Sequence, residues 1–180
     1  MISALIPLAV ASVLSFPQAR TNDEAVEKKV DAIATDFLAK PGAVGLSIGV
    51  GRKGELVFAK GYGLADAEFD VPANADTMFR IGSITKQFTA AAILKLETEG
   101  KLKVEDRLSV HLEGVPEDKK DVTLHHLLTH TAGLDHVYGE DDDYAPRDLA
   151  VKLFLRMPLL SKPGERYHYS NPGFSLLAAV

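Results

Sequence analysis

Between Asp23 and Thr98 the apolar residues change period twice, and this restricts the fold more than any other feature of the chain. Ala25, Val26, Val30, Ile33, Ala34, Phe37 and Leu38 recur at three- and four-residue steps, the spacing of one helix face, and Pro41-Gly42 stops the run. "AVGLSIGV" and "LVFAKGYGL" follow as β-rich runs joined by "GRKGE", the pattern of a hairpin. "DAEFDVPANADT" reads as a polar loop. A second helix is predicted from about Ser83 to Thr98, with Gly100 as its stop. Further helices are expected over Leu124–His130 and Asp148–Met157, with a solvated loop at "EDDD" (140–143) between them. No internal repeat or low-complexity linker interrupts the series.

The chain has 180 residues, 46% of them hydrophobic, enough for one domain with a sizeable core. Net charge is −5 and no basic stripe appears, so neither nucleic acid nor an anionic membrane surface is indicated as a partner. With no cysteine there is no disulfide and no thiol chemistry. The first residues stand apart. "MISALIPLAVASVLSFPQA" carries no charge before Arg20, is short for a membrane span, and suits the core of a signal peptide ending at Ala19. The expectation is a leader over 1–19 and a domain over 20–180 that works outside the cytoplasm, secreted or periplasmic, with no stable membrane span after leader removal.

Two hairpin motifs imitate known sites. Gly45-Leu46-Ser47-Ile48-Gly49 matches G-x-S-x-G, but that elbow needs a sharp strand-to-helix turn, and here a strand continues. Gly49-Val50-Gly51-Arg52-Lys53-Gly54 matches G-x-G-x-x-G, but a dinucleotide site needs a helix after the glycines, and "ELVFAKGYG" is another strand. These glycines read as turn residues with positive φ. His126 and His130 lie four apart on an expected helix, with His125 and His136 nearby. That spacing can hold a metal, yet no H-E-x-x-H and no third carboxylate ligand accompany it. Packing and hydrogen bonding account for these histidines better.

Chemistry concentrates in "FRIGSITKQFTA". Ser83 and Lys86 are three apart and share a helix face. A serine in the first turn sits among free backbone N–H groups at the positive end of the helix dipole. A lysine there, among Ile81, Ile84, Phe88, Ile93 and Leu94, is pushed toward its neutral form and can take the hydroxyl proton. A plain N-cap serine beside a snorkelling lysine would show the same S-x-x-K. A second element shifts the balance. In "GERYHYSNPG", Tyr167, Tyr169 and Asn171 alternate, so an extended segment points all three to one side. Tyr169 suits a proton shuttle beside a serine, and Asn171 can hold both Lys86 and a substrate amide.

The ordered blocks "GYGLAD", "TMFRIGSITKQFTAAAILKLETEGKLKVEDRLSVHL", "VTLHHLLTHTAGL" and "YHYSNPGFSLLAAV" resemble the serine β-lactamase and penicillin-binding-protein superfamily. The resemblance runs from about Ala43 to Val180 and is greatest to the branch of class C β-lactamases, D-Ala-D-Ala carboxypeptidases and related esterases, with Y-S-N where the class A branch carries S-D-N. It implies an α+β fold, an α/β sandwich with an antiparallel sheet flanked by helices and an active site in the crevice between. It also implies an acyl-enzyme at Ser83, Lys86 as its proton partner, Tyr169 as general base or acid, and Asn171 as orienting and substrate-binding residue. The Ser83 backbone N–H would form half of an oxyanion hole. No cofactor or metal is implied, and the partner is a small-molecule or peptide substrate.

The family's later K-T-G or H-T-G strand is missing, since "HTAG" (130–133) precedes Y-S-N. "PGFSLLAAV" ends without a cap, and the hairpin would lack the C-terminal strands that pair with it. The sequence therefore reads as the N-terminal part of a longer protein or as a truncated gene product, impaired on its own. A serine hydrolase acting on a β-lactam, a D-amino-acid peptide or an ester is the leading expectation. A non-catalytic relative used for binding or assembly is the alternative, and a metal-binding protein is a distant third.

Overall fold

A helix and a hairpin open the described chain, which comprises residues 24–138 and 145–180 of a computed structural model. The leader expected over 1–19 and the loop expected at 140–143 lie outside these residues. The described residues fall into two compact units, parted between Arg80 and Ile81.

In the first unit, α1 (Glu24–Leu38) buries Val30 and Ala34, while Ile33 and Phe37 of the expected apolar face remain exposed. β1 (Gly45–Arg52) and β2 (Glu55–Asp66) form the expected antiparallel hairpin, with Gly45 opposite Gly63 and Arg52 opposite Glu55. Lys53 and Gly54 turn the chain with φ of 52° and 83°, the positive pair that matches the twist of a two-residue hairpin. Of the three glycines in the false dinucleotide motif, only Gly54 is a positive-φ turn residue. Gly49 and Gly51 are strand residues, and the register shifts between Val50 and Gly51. Ser47 is likewise a strand residue, its Oγ donating to the Asn74 carbonyl at 2.6 Å. The segment read as a polar loop contains a two-residue strand, β3 (Val71–Pro72), antiparallel to β2. The sheet order is β1-β2-β3, so among the described residues β1 is paired on one side only. Lys60 of β2 donates to Asp31 at 2.9 Å and Glu27 at 3.2 Å, and the Tyr62 hydroxyl donates to Asp31 at 2.7 Å, fastening α1 to the sheet.

The second unit is helical. A 3-10 turn, Gly82–Ile84, leads into α2 (Thr85–Thr98). The short α3 (Leu108–His111) and a 3-10 turn at Glu117–Lys119 precede α4 (Leu124–Leu128), α5 (Arg147–Arg156) and α6 (Asn171–Ala179). Its core joins Ile93, Leu108, Leu124, Leu127, Leu134, Val151, Leu155, Phe174, Leu176 and Leu177. The most apolar helix, α6, packs against α2, α4 and α5 and so acts as the hub. α4 stops at Leu128, short of the expected His130, because His130 takes a left-handed conformation (φ 57°) and donates its N–H to the Leu127 carbonyl. α5 stops at Arg156 because Met157 precedes Pro158 and is extended (ψ 137°). No described helix is long and apolar enough to cross a membrane.

Candidate functional site

Ser83 lies in the 3-10 turn that feeds α2, one turn before Lys86, and is exposed. The Lys86 Nζ donates to Ser83 Oγ at 3.3 Å and to Asn171 Oδ1 at 2.7 Å. The Tyr169 hydroxyl donates to the same Ser83 Oγ at 2.7 Å. Lys86 and Tyr169 thus meet at the Ser83 oxygen, and Asn171 joins them through Lys86, all within the helical unit. Tyr167 does not join them. It is 66% exposed and meets the edge of the His130 ring, at 5.7 Å between centroids.

The surroundings of Lys86 differ from expectation. Only Ile93 of α2 is buried, while Ile84, Phe88 and Leu94 are exposed. What covers Lys86 is instead a pair of rings, with its Nζ 4.8 Å from the centroid of Tyr169 and 5.7 Å from that of Phe174. Tyr169 responds to this neighbour. A hydrogen bond from Lys86, then one with Ser83, holds its hydroxyl below the usual value of 10.0 against the opposing effect of burial.

Two supports hold Tyr169 and Asn171: a helix cap that the sequence reading did not name, and the histidines read there as packing and hydrogen-bonding residues, whose partner the sequence did not show. Ser170 is the N-cap of α6, its Oγ accepting the Gly173 N–H at 3.0 Å, with Pro172 in the first turn. A serine directly before Asn-Pro and an apolar run is the signal that could have revealed it. His130 and His136 flank Tyr169, with ring centroids at 4.5 Å (interplanar angle 27°) and 5.3 Å (35°). The Asn171 N–H donates to the His136 carbonyl at 2.9 Å, and the Ser170 N–H donates to His130 Nδ1 at 3.0 Å.

Among the described residues no group of three or more His, Asp or Glu could hold a metal ion. His126 has another task. Its Nδ1 accepts the Thr123 N–H at 3.2 Å while Thr123 Oγ1 accepts the His126 N–H at 3.2 Å, a reciprocal cap on α4. Burial holds His126 below 6.5, with a smaller push from His125.

A helical unit carrying serine, lysine, tyrosine and asparagine in one hydrogen-bonded cluster, preceded by an antiparallel hairpin, is a β-lactamase- and penicillin-binding-protein-like fold, represented here in part. Residues 30–180 match the family model described as Beta-lactamase, and the chain belongs to that family. It is 33% identical over 171 residues to Protein flp of Staphylococcus aureus (strain COL), covering 89% of this chain and 33% of that one. The octameric penicillin-binding protein homologue from Pyrococcus abyssi superposes with a TM-score of 0.74 at 32% identity, over 85% of this chain and 38% of that one. A β-lactamase/D-alanine carboxypeptidase from Pseudomonas syringae superposes with a TM-score of 0.74 at 26% identity, over 86% and 43%. The chain spans about a third of the length of the curated relative, and the solved relatives are hydrolases and penicillin-binding proteins by description.

Proposed function

We propose that this chain carries the nucleophilic half of a serine hydrolase that works through an acyl-enzyme. One observation carries the reading: two proton-handling side chains, from Lys86 and Tyr169, both bond the Ser83 oxygen, at 3.3 Å and 2.7 Å. In the reactive form Tyr169 has lost its hydroxyl proton to solvent; Ser83 Oγ attacks the substrate carbonyl carbon, and its proton passes to the Tyr169 phenolate. The Ser83 backbone N–H, at the opening of α2, stabilises the developing oxyanion. Collapse of the tetrahedral species breaks the bond to the leaving nitrogen or oxygen, which takes the proton back from Tyr169. Water then releases the acyl group by the reverse sequence and restores the Ser83 hydroxyl.

Tyr169 is favoured over Lys86 as the base for two reasons. Its oxygen is the nearer to Ser83, and its hydroxyl is held below the ordinary value. Lys86 then serves as the fixed donor that stabilises the phenolate, oriented by Asn171. The substrate is a carbonyl compound of the β-lactam, D-alanyl peptide or ester type. The β-lactamase/D-alanine carboxypeptidase relative points to the first two. Export, with residues 1–19 removed, belongs to the same reading.

A panel of a chromogenic cephalosporin, a D-alanyl-D-alanine peptide and a p-nitrophenyl ester tests it. The chain should consume at least one, and Ser83→Ala none. Equal turnover by Ser83→Ala would remove Ser83 from the mechanism.

A further inference from the structure

The imidazole of His130 stands behind Tyr169, and its surroundings define its protonation state. Its Nδ1 accepts the Ser170 N–H at 3.0 Å, so the nitrogen facing the chain is unprotonated and the ring proton lies on Nε2. Its flat face covers Tyr169 at 4.5 Å, and Phe174 lies at 5.0 Å. Its own carbonyl accepts the His168 N–H at 2.7 Å. His130 thus grips residues 168, 169 and 170 by a carbonyl, a ring face and a ring nitrogen in turn. It does so from a left-handed backbone (φ 57°), a conformation costly for a non-glycine residue and retained where the surroundings impose it.

We propose that neutral His130 is a positioning residue: it holds the Tyr169 hydroxyl on Ser83 through the Ser170–Nδ1 bond and the ring stack, and its protonation loosens that hold. The inference rests on the function proposed above only for its catalytic consequence. A protonated Nδ1 can no longer accept the Ser170 N–H, and both groups then present hydrogens to each other. The same Ser170 caps α6 through its Oγ, and Asn171 begins that helix, so displacement at Ser170 moves the Tyr169 hydroxyl and the Asn171 amide together. The groups facing His130 are Lys86 from α2, Tyr167, His168 and Tyr169 from the segment before α6, and His136 across the Tyr169 ring. None of these five is a carboxylate. Burial, with a smaller contribution from the Lys86 charge, keeps His130 below the ordinary 6.5.

The test uses NMR on the whole chain and the variant His130→Asn. Asparagine tolerates a left-handed backbone, so the variant is chosen to fold. In the parent, the His130 imidazole C–H and the Tyr169 ring resonances should titrate with one shared midpoint below 6.5. In His130→Asn the Tyr169 transition should disappear. Tyr169 resonances that stay fixed through the His130 midpoint, or that still titrate in His130→Asn, overturn the inference. A kinetic arm measures fluorophosphonate labelling of Ser83 from pH 5 to 8. Below the His130 midpoint the parent should lose an extra factor of roughly ten per pH unit, and His130→Asn should not. Labelling of the parent with an identical acid limb in the variant also overturns the inference. A parent that does not label defeats the proposed function instead, and the NMR arm still decides the role of His130.

Discussion

Gly133 lies in the turn that carries His130 and His136 to Tyr169, and Gly133→Ala should unfold the helical unit more easily than strain alone explains. Its φ is +80°, and a Cβ built there would lie 2.3 Å from the Ser161 carbonyl oxygen and 3.2 Å from its carbon. Real contacts of this kind essentially never fall below 3.0 Å, so the oxygen has to retreat to at least that distance. The neighbouring bond from the Leu160 N–H to the Gly133 carbonyl, at 2.8 Å, resists that movement. Gly114 supplies the control. Its φ is +71°, but a Cβ added there would meet nothing within 4 Å. Placing a side chain at a left-handed position costs about 1–2 kcal/mol in either variant. Crowding of a packed site adds about 1–3 kcal/mol at Gly133 only. Urea unfolding followed by far-ultraviolet circular dichroism should therefore place Gly133→Ala about 1–3 kcal/mol below Gly114→Ala. Equal losses would show that the Gly133–Ser161 approach is not tight in solution and would refute the reasoning about this turn.

Other substitutions probe the remaining contacts. Tyr169→Phe keeps the ring against His130 but removes the hydroxyl, so Ser83 acylation should slow by about 10²–10⁴-fold with unchanged unfolding; a loss below about threefold would exclude Tyr169 as the base. Burial, and then the bond donated to Asp31, raise Tyr62 to about 12. The stability tied to this shift is complete below pH 10 and is lost as pH rises from 10 toward 12, because the unfolded chain ionises first. Absorbance at 295 nm should show the late step and Tyr62→Phe should abolish it, whereas persistence of the step would reassign it. Lys119 is 1% exposed and bonds Asp118, whose side chain is half in water, at 2.8 Å. Lys119→Met should leave stability unchanged or raise it by up to about 1 kcal/mol, and a loss above about 2 kcal/mol would show that the buried ammonium is required.

The legible part of the site was local. Three-residue spacing places Lys86 over Ser83 on any helical turn, and the block around Tyr169 and Asn171 carried the family resemblance. The hairpin was legible because the hydrophobic period changes and Gly54 marks its turn. The contacts that hold the site were not legible, because each joins residues far apart in sequence: Ser170 with His130, Tyr169 with His130 and His136, Asn171 with His136. Nothing in "LTHTAGLDH" shows that a left-handed His130 will carry its ring beneath a tyrosine some forty residues later. The covering of Lys86 was misread for a related reason. Ile84, Phe88 and Leu94 signalled burial by composition, yet Tyr169 and Phe174 do the covering. Helix ends were displaced where a single backbone conformation decided them, at His130 and before Pro158.

The central claim is that Ser83 is an activated nucleophile, and intact mass spectrometry with peptide mapping tests it most directly. The chain is incubated separately with a penicillin and a fluorophosphonate, beside Ser83→Ala. The predicted result is a single adduct per chain, mapped to Ser83 and absent from Ser83→Ala. An adduct on another residue, or none on a folded chain with either reagent, would contradict it.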